Sequence, residues 1–185
     1  NAKLMKGNKL LKPLSICTFD RLDGPDAVYV HPPLDLSTRE DLPRKVSFEG
    51  YLFEMPTGQI SLYALLDSLK KLSAVGLMGV MLPTQTMFDY GRTRKIWEFL
   101  VKSDYVEAVI QLPESPYSQS SVLLILNKEK SKKNKGRILF TEVIATQKKD
   151  RGIIEDKEIK RVVDCFNDFN AVVKHFKTAL KLYKN

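Results

Sequence analysis

Residues 26–34 read Asp-Ala-Val-Tyr-Val-His-Pro-Pro-Leu, an apolar run that ends in two prolines. The β-branched and aromatic residues predict a strand, and the prolines end it because they cannot donate to a strand ladder. Residues 76–83 (Gly-Leu-Met-Gly-Val-Met-Leu-Pro) and 106–113 (Val-Glu-Ala-Val-Ile-Gln-Leu-Pro) end in proline in the same way. The three runs predict adjacent, mostly buried strands at 26–31, 77–82 and 106–112. Open α/β sheets bind ligands at such strand ends, although a Pro-Pro pair also ends strands that have no functional role.

Leucines recur at helical spacing between the first two runs, at positions 62, 65, 66, 69 and 72. They predict a helix over 61–74 with Ser61 as its N-cap. A crossover helix of this length makes strands 26–31 and 77–82 parallel. A second helix is expected from about Tyr90 to Lys102, and its buried residues should be Ile96, Trp97, Leu100 and Val101.

Residues 120–127 and 137–144 resemble strands, and the Lys-rich, Gly-containing segment between them predicts an antiparallel hairpin. Residues 35–58 are polar and contain two prolines and two glycines, which predicts a long loop. An amphipathic helix is predicted by apolar residues at Ile159, Val162, Val163, Phe166 and Phe169. A similar pattern continues over 171–184, where a helix either docks on another chain or packs back on its own sheet.

The chain carries a formal net charge of +8, which favours an anionic partner without identifying it. One group of cations lies at the start of the second helix, at Arg92, Arg94 and Lys95. Cations there oppose the helix dipole, so a nearby anion or full solvent exposure is needed to explain them. A second group lies between the two late strands: Lys128, Lys130, Lys132, Lys133, Lys135 and Arg137. This segment is either a solvated loop or a loop that contacts phosphates.

Cysteine and histidine usage favours a reduced, cytoplasmic protein without a metal site. Cys17 and Cys165 lie far apart, and His31 and His175 do not complete a zinc-ligand spacing. No run reaches the ~20 apolar residues of a membrane span. The start at Asn1-Ala2, without Met, looks like a cleavage scar or the start of an excised domain, and these two residues are left out of the fold prediction.

The order of these elements resembles the N6-adenine DNA methyltransferases that serve as modification subunits of type I restriction systems. Those proteins carry an Asn-Pro-Pro-Tyr/Phe tetrapeptide, a Gly-to-Leu-Pro strand, a Phe-to-Gly-Arg helix start and a Val-Ile-to-Leu-Pro strand. The matching segments here are His31-Pro32-Pro33-Leu34, Gly76 to Pro83, Phe88 to Arg92, Ala108 to Pro113 and Ser120 to Lys128. The resemblance covers residues 20–145.

The resemblance implies roles for the tetrapeptide positions. In the family the Asn side chain and the next backbone carbonyl accept hydrogen bonds from the flipped adenine amine, and the aromatic residue stacks on the base. His31 and the carbonyl of Pro32 would take the acceptor positions here, followed by Pro33 and Leu34. Because His31 replaces Asn and Leu34 cannot stack as an aromatic residue, the tetrapeptide is degenerate. The family's Gly-rich turn for S-adenosylmethionine does not precede residue 26, so no cofactor is expected to bind this chain alone.

We therefore predict an α/β fold: a partial Rossmann-like methyltransferase sheet of parallel strands followed by an antiparallel terminal hairpin, with flanking helices. The expected divisions are an arm at 1–25, a domain at 26–145 that lacks the cofactor-binding half, and a helical tail at 146–185. Residues 10–19 of the arm, a second copy or the rest of a longer protein should cover the edge of strand 26–31, and the arm or a partner chain is favoured.

The leading function is a fragment or degenerate form of the modification subunit, inactive alone and retained for DNA or subunit contact. The alternative is a non-catalytic DNA-binding or scaffold module. Expected partners are DNA and the specificity and restriction subunits, or a second copy of the chain, with no membrane contact. Expected DNA-contacting residues are Arg92, Arg94, Lys95, Lys128, Lys130, Lys132, Lys133 and Lys135.

Overall fold

The computed structural model describes residues 24–32, 43–56, 59–88, 91, 93–113, 120–148 and 151–168. The strands in these ranges are β1 (Ala27–Val30), β2 (Lys45–Phe48), β3 (Tyr51–Glu54), β4 (Leu77–Pro83), β5 (Val106–Gln111), β6 (Ser121–Asn127), β7 (Leu139–Glu142), β8 (Thr146–Lys148) and β9 (Arg151–Ile153). The helices are α1 (Ile60–Lys71), α2 (Gln85–Phe88), α3 (Arg94–Lys102) and α4 (Asp156–Asn167).

A five-stranded sheet with the order β1-β4-β6-β5-β7 forms the centre of the fold. Strand β1 is parallel to β4 and β5 is parallel to β7, whereas β6 is antiparallel to both of its neighbours. Four strands therefore run in one direction and β6 runs in the other. The predicted α/β class, with a mostly parallel sheet and flanking helices, is confirmed.

The predicted strand neighbours need two corrections. Strands β4 and β5 are not adjacent, because β6 lies between them, and β6 forms its hairpin with β5 and not with β7. Both edges of β6 are already paired, so β7 adds to the free edge of β5. The apolar side chains on both faces of β6 fit this central position, since a strand buried on both sides has no polar face.

One face of the sheet packs against α1, α3 and a hairpin formed by β2 and β3. Helix α1 differs from the predicted 61–74 at both ends. Gln59 and not Ser61 occupies the N-cap position, Ser61 is buried in the first turn, and the helix ends at Lys71, three residues earlier than predicted. In α3, Ile96 and Leu100 are buried as predicted. The helix has nine residues and starts at Arg94, not near Tyr90. It also buries Phe99, leaves Trp97 partly buried and leaves Val101 53% exposed, which corrects the predicted apolar face.

The β2–β3 hairpin replaces part of the loop predicted over 35–58. Its turn residues Glu49 and Gly50 both have positive φ, at 48° and 79°. Such turns usually read Asn-Gly or Asp-Gly, so the Glu-Gly pair gave little signal. The Tyr105 hydroxyl donates to both carboxylate oxygens of Glu49, at 2.8 and 3.0 Å. Burial and this carboxylate raise the pKa of Tyr105 to about 12.

The opposite face is covered by α4 beside β5 and β7, where a second apolar cluster contains Ala108, Ile110, Leu139 and Val162. The predicted helix is confirmed up to Phe166, but Ile159 and Val163 are about half exposed. Phe169 and residues 171–184 lie outside the described ranges. The short β8–β9 hairpin before α4 was not predicted. No helix in the described ranges is long and apolar enough to span a membrane.

Strand β1 is more exposed than predicted. Only Val30 of its four residues is buried, and Tyr29 is 64% exposed. The reason is its position, because β1 is an outer strand of the described sheet and pairs there only with β4.

The approach of α1 to the start of β4 gives a stability prediction. A Cβ added at Gly76 would lie 2.4 Å from Cγ of the buried Leu72, whereas a Cβ at Gly79 would meet nothing closer than 3.4 Å. We expect Gly76→Ala to lower the free energy of unfolding by about 1–3 kcal/mol, as overpacked cores do. Gly79→Ala, the matched control, should change it by under about 1 kcal/mol. Urea denaturation of both variants measures this, and equal effects would show that Leu72 is free to move away.

Candidate functional site

The carboxyl ends of β1, β4, β5 and β7 meet at one edge of the sheet, where β6 begins. We call this the carboxyl edge. It brings together residues that the sequence spaces far apart: His31, Pro32, Thr84, Gln111 and Ser120. Val30 pairs with Val80, so β4 continues three residues beyond the last paired position of β1. The exit of β1 therefore lies beside the last residues of β4.

The described part of the tetrapeptide lies at this exit. The side chain of His31 is exposed and Pro32 is buried, while Pro33 and Leu34 lie outside the described ranges. The ring of Tyr29 lies 6.5 Å from that of His31, and both project from the same face because strand side chains alternate. The sequence prediction missed Tyr29, although its spacing of two from His31 was the available signal.

A polar cluster closes the base of the connection between β5 and β6. The side-chain amide of Gln111 donates towards the Ser120 hydroxyl at 3.0 Å and the carbonyls of Leu112 and Ser121 at 3.1 and 3.2 Å. The Thr84 and Ser120 hydroxyls are 2.9 Å apart, and the Thr84 N–H donates to the Ser120 carbonyl. These bonds fix both ends of the 112–120 connection to the end of β4. Sequence reasoning did not single out this cluster.

The cations of α3 lie towards the same edge. The Trp97 indole donates to the carbonyl of Thr86 at 3.0 Å, which holds α3 against the segment that follows β4. Arg94 pairs with Glu98 at 2.7 Å on the helix surface, and this i,i+4 partner explains how a cation is tolerated in the first turn. Arg94 and Lys95 are both exposed, and Arg92 lies outside the described ranges.

The Lys-rich segment lies at the opposite edge, because β6 runs away from the carboxyl edge before the segment begins. Lys128 and Lys130 are used inside the chain. The Lys128 ammonium donates to the Leu72 carbonyl at the end of α1, at 2.7 Å, and burial lowers its pKa. The Lys130 side chain is 1% exposed, and its ammonium contacts Asp104 at 2.6 Å and the Arg137 carbonyl at 2.9 Å.

These two lysines therefore correct the interpretation of the segment as a uniformly solvated or phosphate-contacting loop. Lys130 is buried in an ion pair, and a phosphate could reach its ammonium only if that pair broke. Lys132, Lys133 and Lys135 are exposed, as expected for cations that face solvent or an anionic partner.

The described residues at the exits of β1 and β4 lack one kind of side chain that an S-adenosylmethionine site uses. S-adenosylmethionine presents an ammonium group and ribose hydroxyls, which an acidic side chain would bind. Residues 30–32 and 81–84 include no acidic side chain. No group of three potential metal ligands occurs in the described part of the chain.

A sequence profile of the N-6 DNA Methylase family matches residues 1–182, nearly the whole chain. The chain belongs to this family. The resemblance noted from the sequence is thereby confirmed.

Two curated proteins with similar sequences are methylase subunits of type I restriction enzymes. The type I restriction enzyme MpnII methylase subunit of Mycoplasma pneumoniae is 28% identical over an alignment of 156 residues, which covers 78% of this chain and 28% of that protein. The MjaVIII methylase subunit of Methanocaldococcus jannaschii is 24% identical over 93% of this chain and 32% of that protein. The chain thus spans about a third of the length of these relatives, or less.

Solved structures show the same fold. A type I restriction-modification methyltransferase subunit from Streptococcus thermophilus matches with a TM-score of 0.67 and 20% identity, over 82% of this chain and 33% of that one. A modification subunit of a type I restriction enzyme from Vibrio vulnificus matches with a TM-score of 0.53 and 18% identity, over 78% and 31%.

The buried ion pair at Lys130 predicts a stability effect that depends on pH. Burial opposes ionisation of Asp104, but Lys130 and the Gly136 N–H outweigh it, so its pKa is lowered. The bonds to the charged carboxylate therefore stabilise the fold above the ordinary Asp pKa, and this contribution is lost as the pH falls through the lowered value. Lys130→Met should cost about 1–3 kcal/mol of unfolding free energy at neutral pH.

Lys133→Met, at an exposed lysine of the same segment, is the control and should stay within about 0.5 kcal/mol of the parent. The deficit of the Lys130 variant should shrink as Asp104 becomes protonated. Urea titrations between neutral and acidic pH measure both effects. A deficit that stays constant across this range would show that Asp104 is not the partner that matters.

Proposed function

We propose that this chain is the tetrapeptide-bearing portion of a type I restriction-modification methyltransferase subunit, and that it contacts DNA through the carboxyl edge. The observation that carries the proposal is the position of His31 and Pro32, which end a parallel strand at the same edge as the exits of β4 and β5. Ligands of open α/β sheets bind at such edges. Exposed cations of α3 lie towards this edge and could position a phosphate backbone.

In this proposal, the residues of the degenerate tetrapeptide contact the target base at the carboxyl edge. A neutral imidazole at His31 can accept one hydrogen bond through a ring nitrogen, so it could take part of the acceptor role that an amide oxygen fills in the family. The Pro32 carbonyl is the second acceptor of the proposal. The exposed ring of Tyr29 is the nearest described aromatic group that could stack on a base in place of Leu34.

In this proposal, the chain supplies one part of a methyltransferase complex, and other polypeptide segments supply the rest. The groups expected to bind S-adenosylmethionine, the methyl donor of the parent family, would come from outside these residues, so methyl transfer by the isolated chain is not expected. Specificity and restriction subunits or a second copy are the proposed protein partners.

A second candidate is a non-catalytic DNA-binding or scaffold module with the same fold, which the two replaced tetrapeptide positions favour. If the parent gene encodes a Gly-rich cofactor-binding turn upstream of this sequence, the chain is a fragment of an active methyltransferase subunit and not such a module.

DNA contact at the carboxyl edge is tested by removing the cations near the start of α3. If Arg92 and Arg94 contact phosphates, Arg92→Ala/Arg94→Ala should reduce the log–log salt dependence of duplex binding by about 1.8, from about 0.9 per contact. The loss should be the same for every sequence, because phosphate contacts position the protein without reading bases. Fluorescence anisotropy of a labelled duplex over a salt series measures the slope.

The control is Lys45→Ala/Lys160→Ala, which removes the same charge from exposed positions on β2 and α4. This variant should keep the parent slope apart from a small general effect of net charge. If both variants reduce the slope equally, the arginines act only through the overall charge, and DNA contact at this edge is wrong.

A further inference from the structure

Residues 131–137, which we call the basic turn, form a compact exposed structure at the edge opposite the carboxyl edge. The N–H groups of Asn134 and Lys135 both donate to the Ser131 carbonyl, at 2.9 and 3.2 Å, as in one turn of helix. Gly136, with φ of 67°, ends this turn. Four cations project from it: Lys132, Lys133, Lys135 and Arg137. None of their side chains has an acidic partner within 4.0 Å among the residues that the structure describes.

Three polar anchors below the surface hold the basic turn in place. Asp104 accepts the Gly136 N–H at 2.9 Å and the buried Lys130 ammonium at 2.6 Å. Lys130 also donates to the Arg137 carbonyl, which ties the end of the turn to its beginning. Glu107, 5% exposed, accepts from the Asn134 amide at 3.1 Å and from the Asn127 amide at 2.7 Å.

The strand below the turn is shaped for these bonds. The β5–β6 register shifts at Glu107, between Val106 and Ala108, as in a β-bulge. A bulge re-aims one side chain, and here the Glu107 carboxylate contacts the two amides. Asp104 has a positive φ of 56°, a left-handed conformation that Asp adopts more readily than most non-glycine residues.

The buried groups beneath the basic turn cost folding free energy that a fully solvated loop would not cost. Lys130, Glu107 and Asn134 are withdrawn from water, and the Asn134 side-chain oxygen is buried without a hydrogen-bond partner. Burying charged and polar groups is unfavourable unless they gain good bonds, and an unpaired acceptor adds to the cost. The result of these buried bonds is a fixed backbone that presents four exposed cations to solvent.

We propose that the basic turn is a second phosphate-contacting surface for duplex DNA, separate from the carboxyl edge. The seven residues of β4 separate the two edges by about 20 Å at 3.3 Å per residue. The turn would therefore contact a different stretch of backbone from the one at the carboxyl edge. This inference rests on the proposed function only in naming DNA as the polyanion.

Duplex phosphate fits the turn better than an acidic protein does. Protein interfaces concentrate aromatic and apolar residues at their centre and are depleted in lysine. Residues 131–137 contain no apolar or aromatic side chain (Ser-Lys-Lys-Asn-Lys-Gly-Arg). Lysines that neutralise phosphates release counterions, which is the main source of affinity for non-specific duplex.

The experiment replaces three cations of the turn and leaves its buried anchors intact. Lys132→Ala/Lys133→Ala/Lys135→Ala should reduce the log–log salt slope of duplex binding by about 2 to 3. The matched control is Arg44→Ala/Lys45→Ala/Lys160→Ala, which removes equal charge from exposed positions at the start of the β2–β3 hairpin and on α4. Anisotropy with a labelled duplex of about 30 base pairs, which is long enough to reach both edges, gives the slopes. Poly-glutamate is titrated in parallel as an acidic polypeptide.

We expect the turn variant to have a smaller salt slope of duplex binding than the parent, and the control to keep the parent slope. The turn substitutions should weaken poly-glutamate binding less than duplex binding. Combined with Arg92→Ala/Arg94→Ala, the losses should add, because sites this far apart act independently. If the triple variant of the basic turn keeps the parent salt slope, the proposal of a second DNA-contacting surface is wrong. The carboxyl-edge proposal is then tested separately by the Arg92→Ala/Arg94→Ala variant. A larger loss for poly-glutamate than for duplex also overturns it, in favour of an acidic protein partner.

Discussion

The pairing of β6 between β4 and β5 is the interaction on which the rest of the structure depends. Its seven residues pair along the whole of β4, from Ser121 opposite Pro83 to Asn127 opposite Leu77. Its other edge pairs with β5, which in turn carries β7. Without β6, the β1–β4 pair and the β5–β7 pair would be separate ribbons. With it, alternate side chains of one strand enter both apolar clusters of the chain.

The reversed direction of β6 also distributes the functional residues. Ser120 precedes the strand at the carboxyl edge and meets Thr84 and Gln111 there. Asn127 ends it at the opposite edge and meets Glu107. The sequence suggests one DNA-binding set of cations, but the structure divides this set between two edges. Two of the cations, Lys128 and Lys130, bind groups within the chain. Strand β5 contributes to both edges, with Gln111 in the cluster at the carboxyl edge and Glu107 in the one at the opposite edge.

Much of the fold could be predicted because its signals are local. Apolar runs ending in proline locate β1, β4 and β5, and helical spacing locates α1, α3 and α4. The strand order could not be obtained in this way. Periodicity shows that a segment is a strand but not which edges it uses, and only the absence of a polar face on β6 indicated a central position. The β2–β3 hairpin was missed because its Glu-Gly turn is stabilised by a distant residue, Tyr105.

The candidate site was predictable only in part, for the same reason. The tetrapeptide positions are contiguous and could be read directly, whereas Gln111, Thr84 and Ser120 meet only because three strand ends coincide. Lys130 and Lys133 look alike in the sequence, yet one is buried against Asp104 and the other is exposed. A cation's environment depends on tertiary partners, and no local pattern in the Lys-rich segment distinguishes these two lysines.

Native-state amide hydrogen exchange tests the central position of β6 most directly. If β6 joins the two halves of the sheet, its amides can exchange only when the whole sheet opens, so they should be among the slowest and share the free energy of global unfolding. The amides of β1 and of the β8–β9 hairpin, which have fewer partners, should exchange sooner by local opening. Amides of β6 that exchange as fast as those of β8–β9 would contradict this account, because the two halves would then hold together without it.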